Sequence, residues 1–405
     1  MDFGLCNGTV AYPDRSQFPH RGAALPGILY EIPLHPAVTP AARQREMRMA
    51  MQMGTAQTYI SGRLCLPEGY TPALSLRETE QAIKFIKDTF QCGLAAALNL
   101  ARVSAPLCVT AASGLNDHLN GVESPVRFGI RSIGEDAEIV QSLAKWKRAA
   151  LADYGFDHGE GLYTDMNAIR PDETLDNLHS VYVDQWDWER VIDASERTVP
   201  FLEGIVRDIY GVLLRTNQFV CERYPSVPAL ELPDEMVFVR SEDLEADDPD
   251  HTPQERVDRI CRESGAVFVI GIGAPMLSGV PHDGRAADYD DWSTPTDETH
   301  RGLNGDLFVW NSVLGCAFEL SSMGIRVDPS ALLRQLEARG ELANRDLPYH
   351  RRLLAGDLPL TIGGGIGQSR LCMLLLHTAH IGEVQSGIWS GAMRSACFAA
   401  GIPLL

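Results

Sequence analysis

No Cys-x-x-Cys pair occurs in these 405 residues, and the nine cysteines are scattered and odd in number. That argues against a disulfide framework or a zinc site and for a reducing compartment. Positive charge is also short. Thirty-five Lys and Arg face 54 Asp and Glu, a formal net charge of -19. Such a surface repels phosphate backbones and anionic membrane, so neither nucleic acid nor lipid is an expected partner. Long apolar runs are missing too. The longest, 265–277, is too short and too rich in glycine to span a bilayer. Internal repeats are absent. A phosphate-bearing ligand would therefore need a basic pocket of its own. With 45% hydrophobic residues the chain suffices for one large domain or two ordinary ones.

Residues 1–75 stand apart. They carry Pro13, Pro19, Pro26, Pro33, Pro36 and Pro40, four clustered methionines from Met47 to Met53, and no steady periodicity. They are read as a loosely structured N-terminal extension. A transit peptide would share their arginines; Asp2, Asp14 and Glu31 weigh against one, and the expected location is the cytoplasm.

Helical periodicity begins at a capping box, Ser75-Leu-Arg-Glu78, with Ile83, Phe85, Ile86 and Phe90 on one face. The spacing predicts a strand over 98–109, interrupted by Pro106 and so at an edge or interface. A polar turn with Asp117 follows, then a short strand over 126–130. Residues 139–151 read as a helix with a basic cluster, Lys145, Lys147 and Arg148, whose ordinary role would be a solvated face. Two strands joined by a loop carrying Arg170 make a hairpin able to hold a phosphate. Residues 201–224 read as a helix, 241–254 as an acidic surface loop running into a second helix, and 265–272 as a buried strand. In the acidic stretch 281–305, Asp297 and Glu298 read as solvated. Asp306 and Glu319 fall on adjacent short strands, a hard-oxygen pair suited to Mg²⁺ held through phosphates. Arg326, after Ser321 and Ser322, is suited to a substrate carboxylate.

The last unusual stretch is Leu-Thr-Ile-Gly-Gly-Gly-Ile-Gly-Gln-Ser-Arg-Leu, 360–371. A strand over 358–362 is expected to turn through Gly363, Gly364, Gly365 and Gly367 into an apolar helix at 371–376. No Lys follows the glycines, which excludes a P-loop, and Gln368 stands where a dinucleotide fingerprint needs glycine. Arg370 sits at the helix N-terminus, against the dipole, a cost that a bound anion would offset.

The order of Arg170 on a hairpin, Asp306 and Glu319 on later strands, and Arg370 at a strand–helix junction resembles the three motifs of class II aminoacyl-tRNA synthetases. The strings 142–148 (Ser-Leu-Ala-Lys-Trp-Lys-Arg), 159–164, 182–188 (Tyr-Val-Asp-Gln-Trp-Asp-Trp), 288–293, 318–326 and 363–371 resemble one branch more closely, the ammonia-dependent asparagine synthetases. The resemblance covers about residue 78 to the C-terminus, roughly four-fifths of the chain, and not residues 1–75.

It implies an α+β fold with a mainly antiparallel sheet flanked by helices, a class II synthetase-like catalytic domain over 76–405, and a homodimer contact through 98–109. It implies an enzyme that joins ammonia to the β-carboxylate of L-aspartate with ATP and Mg²⁺, giving L-asparagine, AMP and pyrophosphate through a β-aspartyl adenylate. Arg170 and Arg370, with Gly364, Gly365 and Gly367, would hold ATP; Asp306 and Glu319 would hold Mg²⁺. Asp117, Ser142, Lys147, Gln185, Asp290, Ser321, Ser322 and Arg326 would line the aspartate pocket. His118 and Gln141 depart from the pattern, standing where Asn and His are expected. The reaction needs charge neutralisation and positioning rather than a protein nucleophile. Asp117 or Asp290 would take the proton that ammonium must lose. No glutaminase cysteine is marked, so free ammonia is the expected nitrogen donor. The alternatives are an aspartyl- or asparaginyl-tRNA synthetase, disfavoured by the charge and the lack of a basic anticodon-binding domain, and an inactive paralogue, disfavoured by the complete set of arginines and carboxylates.

Overall fold

The computed structural model describes residues 64–117 and 123–405. Helix α1, Leu76–Leu98, opens at the expected capping box and buries Ala82, Ile86, Phe90, Leu94 and Leu98. Asn99, left-handed at φ 55°, ends it. The strand expected over 98–109 is therefore not one strand. The chain makes β1, Leu100–Arg102, passes Pro106, and makes β2, Cys108–Thr110. Strand β2 belongs to a second, three-stranded sheet with β3, Arg127–Ile130, and β4, Glu135–Ile139. Helix α2, Ala144–Tyr154, starts later than expected because Ile139 finishes β4. Strands β5, Gly161–Ile169, and β6, Tyr182–Val191, form the expected hairpin, with Arg170 just beyond β5.

Helix α3, Val199–Arg223, and β7, Val237–Arg240, follow. Helix α4, Ser241–Asp247, replaces part of the expected acidic loop; Glu242 and Asp243 in its first turn favour it through the helix dipole. Next come α5, Pro253–Ser264, β8, Ala266–Ile270, β9, Asn304–Asn311, and β10, Cys316–Ile325. Helices α6, Pro329–Arg339, and α7, Pro348–Ala355, lead to β11, Thr361–Gly367, α8, Gln368–Leu375, and α9, Gly391–Ala399.

The main sheet has eight strands in the order β1-β5-β6-β11-β10-β9-β8-β7. Only its edge pairs, β1–β5 and β7–β8, are parallel. The inner pairings are antiparallel, so the α+β expectation holds. Helices α1, α3 and α8 cover one face and make the main core. Strand β8 shows the alternation: Ala266, Phe268 and Ile270 enter that core, while Val267 and Val269 pack under α5 on the other face. Strand β6 alternates likewise. Trp186 and Trp188 are fully buried in the main core, with Phe90 stacked on Trp186 at 4.9 Å between ring centroids. Gln185, Asp187 and Glu189 face the other way.

The glycine stretch corrects the sequence reading. Gly363, Gly364, Gly365 and Gly367 do not turn the chain; they lie inside β11, between β6 and β10, and none has a positive φ. Their role is clearance. A Cβ on Gly363 would stand 2.5 Å from Glu189 Cδ and 2.7 Å from Arg326 Nη2. One on Gly364 would meet Met323 Cβ at 2.5 Å, and one on Gly365 would meet Asp187 Oδ1 at 2.8 Å. Glycine in a strand interior here marks close approach of neighbouring groups.

Leu64 packs in the main core, and Tyr70 Oη donates to Glu383 Oε2 at 2.8 Å. Residues 1–63 of the expected extension, and His118, lie outside the described residues. Among the described residues no helix is long and apolar enough to cross a membrane.

Candidate active site

The helix-free part of the second face, over β6, β11 and β10, is a cleft of about 360 Å³. Of the residues singled out on sequence, Ser142, Lys147, Arg170, Gln185, Asp290, Glu319, Ser321, Ser322, Arg326, Gly364, Gly365, Gly367 and Arg370 line it. Asp117 and Asp306 lie behind its wall.

An ionic lattice forms the floor. Arg326, buried, donates from Nε to Glu189 Oε1 at 3.0 Å and from Nη2 to Glu189 Oε2 at 2.9 Å, and its Nη1 pairs with Asp290. Lys147 Nζ donates to the Gly364 carbonyl at 3.0 Å and lies 3.2 Å from Asp187 Oδ2. Burial pushes the Glu189 carboxyl up, but Arg326 and Lys147 outweigh it and hold the group below the usual range. Burial likewise opposes the charge on Arg326, yet Glu189 and Asp290 hold it more firmly protonated than usual. Asp290 ends above the ordinary range, because burial there exceeds the pull of Arg326 and Arg285. The two cations expected to grip substrate are thus first of all counter-ions of buried acids. Arg326 keeps N–H groups to spare: a guanidinium has five, and these bonds occupy three.

The basic cluster of α2 is not a solvated face. Lys145, Lys147 and Arg148 are 2%, 1% and 1% exposed. Arg148 donates to the carbonyls of Pro359 at 2.8 Å and Val327 at 2.7 Å, a structural role. Lys145 Nζ lies 3.0 Å from Asp288 Oδ2 and 3.6 Å from Asp117 Oδ1. Asp117 is wholly buried, and neither of its oxygens has a hydrogen-bond partner among the described residues. Burial raises its carboxyl above the usual range, with Lys145 opposing. Gln141 is buried beside the cleft, its side-chain amide equally without a partner.

At the arginine end, Arg170 Nε is buried and has no hydrogen-bond partner among the described residues. Arg370 donates from Nη1 to the Glu319 carbonyl at 3.0 Å and lies 3.5 Å from its carboxylate. The anion position expected at the N-terminus of α8 is taken by a protein group. Asp184 Oδ1 accepts from Ser369 N at 3.1 Å, and Lys87 Nζ balances Asp184 at 2.9 Å.

Asp306 and Glu319 sit on paired strands but are not cross-strand partners: Asp306 faces Ser322 and Glu319 faces Phe308. Arg285 covers Asp306, its Nη2 bonding both Asp306 Oδ1 and, at 2.9 Å, Ser322 Oγ. Burial pushes the Asp306 carboxyl up to about 7; Arg285 opposes this, and the charge of Glu319 adds to it. Ser321 Oγ donates to the Gly365 carbonyl at 2.9 Å, so that hydroxyl ties β10 to β11.

Sequence reasoning missed Asp187, Glu189, Asp184 and Arg285. Asp187 and Glu189 were within reach, since they continue a period of two from Gln185 along the tryptophan string. Arg285 is a lone cation near the start of the acidic stretch. Gln385, which contacts Asp184 and Ser369, carried no sequence signal.

The family model described as aspartate-ammonia ligase matches residues 77–401. An aspartate–ammonia ligase of Parabacteroides distasonis is 54% identical over 343 residues, 84% of this chain and 99% of that protein. One from Clostridium perfringens is 54% identical over 344 residues, 85% of this chain and 99% of its own. Among solved structures, asparaginyl-tRNA synthetase of Pyrococcus horikoshii, complexed with asparaginyl-adenylate, superposes with a TM-score of 0.57 at 15% identity. That match covers 76% of this chain and 68% of the other. Aspartyl-tRNA synthetase of Entamoeba histolytica gives 0.52 at 14% identity, over 85% of this chain and 65% of the other. At such identity the likeness is one of fold, the class II synthetase fold.

Proposed function

The chain belongs to the aspartate–ammonia ligase family, which makes asparagine from aspartate and ammonia, and we propose that its cleft does so through a β-aspartyl adenylate. One observation carries this reading. Arg170, Gln185, Arg326 and Arg370, drawn from a loop, a strand, the residue after β10 and a helix, open on a single cleft. In an acidic chain this gathers the cations an ATP-dependent reaction requires, among carboxylates such as Asp184, Asp187 and Glu319 that line the same cleft.

Aspartate would lie over β6 and β10, its α-carboxylate on the free edge of Arg326 and its polar groups on Gln185, Ser142 and Ser322. A β-carboxylate oxygen attacks the α-phosphorus of ATP, the bond to pyrophosphate breaks, and Arg170 and Arg370 neutralise the charge that develops. The glycines of β11 let the reacting groups lie close to backbone. Ammonia then attacks the acyl carbon, the carbon–oxygen bond to AMP breaks, and the amide forms as the nitrogen gives up one proton and keeps two. Asp290 stands on the cleft wall and Asp117 behind it; whichever accepts the proton, its Asn variant should lose amide formation while keeping pyrophosphate exchange.

Asp306 and Glu319 supply two of the oxygen donors a divalent cation such as Mg²⁺ takes; the charge of Glu319 raises the Asp306 carboxyl, and Arg285, which pairs with Asp306, would share it with the ion. Bound there, it would neutralise phosphate charge. The eight cysteines among the described residues are free, which supports a reducing, cytoplasmic setting. A homodimer is proposed through residues 98–109, where β1 forms a sheet edge; sedimentation or light scattering tests it.

The tRNA synthetase alternative rests on a shared fold alone, whereas sequence identity lies with the ligases. The decisive assay supplies ATP, aspartate and either ammonium or glutamine, and follows AMP and asparagine. Ammonium should support the reaction and glutamine should not. Equal efficiency with glutamine would overturn free ammonia as the donor.

A further inference from the structure

The twelve residues 170–181 join β5 to β6 without regular structure, and one side of the cleft is built from them. Leu178, His179 and Ser180 line it, beside Arg170. Arg170 itself is fixed at the loop base, where its N–H donates to the Val181 carbonyl at 2.8 Å. Beyond that base the loop must be held by something else, because ordering free backbone costs roughly 1–2 kcal/mol per residue.

Asn177 supplies the hold. It is 3% exposed, and its side chain spends every donor on another segment. Oδ1 accepts from Cys65 N at 2.7 Å, and Nδ2 donates to the Cys65 carbonyl at 2.8 Å. The second Nδ2 proton goes to the Ala379 carbonyl at 2.7 Å. The Asn177 carbonyl accepts from Ile381 N at 2.8 Å. A side-chain amide that binds both polar groups of one backbone residue mimics a strand pairing and fixes orientation as well as distance.

The partner segment, 64–70, is fastened at both ends. Leu64 is buried in the main core. Tyr70 Oη bonds Glu383, whose other oxygen accepts from Ala379 N at 2.8 Å and His380 N at 3.0 Å. Ile381 and Gln385 of this third segment line the same cleft. Gln385 accepts from Ser180 Oγ and donates to Ser369 Oγ at 3.0 Å, closing the circuit back to α8.

We infer that Asn177 is a positioning residue, and that the strap 64–70 latches the loop after Arg170 against the nucleotide end of the cleft. The strap thereby makes residues ahead of the first helix part of ATP recognition. The inference rests on the reading that Arg170 marks the nucleotide end.

Asn177→Ala removes the three side-chain bonds. Tyr70→Phe removes one bond at the far end of the strap and leaves packing intact. ATP affinity is measured on the intact chain by calorimetry, with pyrophosphate exchange, KM for aspartate and Tm alongside. Asn177→Ala should weaken ATP binding roughly ten-fold, as expected when about 1 kcal/mol or more of net hydrogen bonding is lost. KM for aspartate should stay within about two-fold, since that pocket lies over β6 and β10 and none of the three bonds reaches it. Tyr70→Phe should shift ATP affinity the same way by less. A fall in Tm with unchanged ATP affinity in both variants overturns the latch, as does an equal loss for aspartate. Absence of exchange in the parent protein, with ATP binding still weakened in Asn177→Ala, would instead overturn adenylation and leave the latch standing.

Discussion

Arg326 and Arg370 read on sequence as carboxylate and phosphate ligands, and they differ as much in what surrounds them. Arg326 is buried between Glu189 and Asp290. Arg326→Ala leaves two buried acids with only the more distant Lys147 and Arg285, each at 3.9 Å, a loss of about 3–5 kcal/mol, so Tm should fall along with any rise in KM for aspartate. Arg326→Lys should restore neither fully, because a point charge cannot span both oxygens of Glu189. Arg370 keeps a partly exposed guanidinium held by one carbonyl and one distant carboxylate. Arg370→Ala should leave Tm nearly unchanged and depress pyrophosphate exchange roughly 10²–10³-fold, as loss of a transition-state donor does. A normal exchange rate would remove Arg370 from the phosphates. Gly363→Ala tests the clearance role of β11. With Glu189 and Arg326 in its path, the added methyl should cost about 1–3 kcal/mol in chemical denaturation and disturb aspartate binding. A neutral result would mean the lattice yields easily.

Among the elements, the segment around Glu383 carries its own pH dependence. Burial pushes that carboxyl up to about 7, with the bonds from Tyr70, His380 and Ala379 pulling the other way. The folded chain therefore keeps the proton after the unfolded chain, near 4.5, has lost it. Its contribution to stability is fully present below about pH 4.5 and is lost as pH rises through 7, a swing on the order of 3 kcal/mol. Glu383→Gln cannot ionise, so the variant's stability relative to the parent should rise between pH 5 and 8; a constant difference across that range would refute the assignment. The elements themselves were legible wherever period and capping agreed, as in α1 and the β5–β6 hairpin. They were illegible where a tertiary neighbour decides. Glycines that look like a turn are a strand because Glu189, Asp187 and Met323 need the space. Lysines that look solvated are buried because acids meet them, Asp187 and Glu189 of β6 at Lys147 and Asp288 at Lys145. The arginines and Gln185 could be picked out as site residues, but that Arg326 is already paired could not, since its partners lie 137 and 36 residues away.

For the whole molecule, the Parabacteroides distasonis relative is matched over 99% of its length but covers 84% of this chain, leaving about one-sixth without a counterpart. Deleting residues 1–63 should keep activity within a few-fold. Deleting 1–75 removes Leu64 from the core and the bonds of Cys65 and Tyr70, and should cost both stability and ATP affinity. Equal behaviour of the two truncations, measured by melting and exchange, would show the strap to be dispensable. One further consequence follows from β6, which sends Trp186 and Trp188 to one side and Gln185, Asp187 and Glu189 to the other. A slip of one residue against its neighbours would put two tryptophans into the buried ionic lattice and two acids into the apolar core at once. The strand thereby couples fold to function: a molecule that has settled on the wrong pairing gains neither a stable interior nor a working surface.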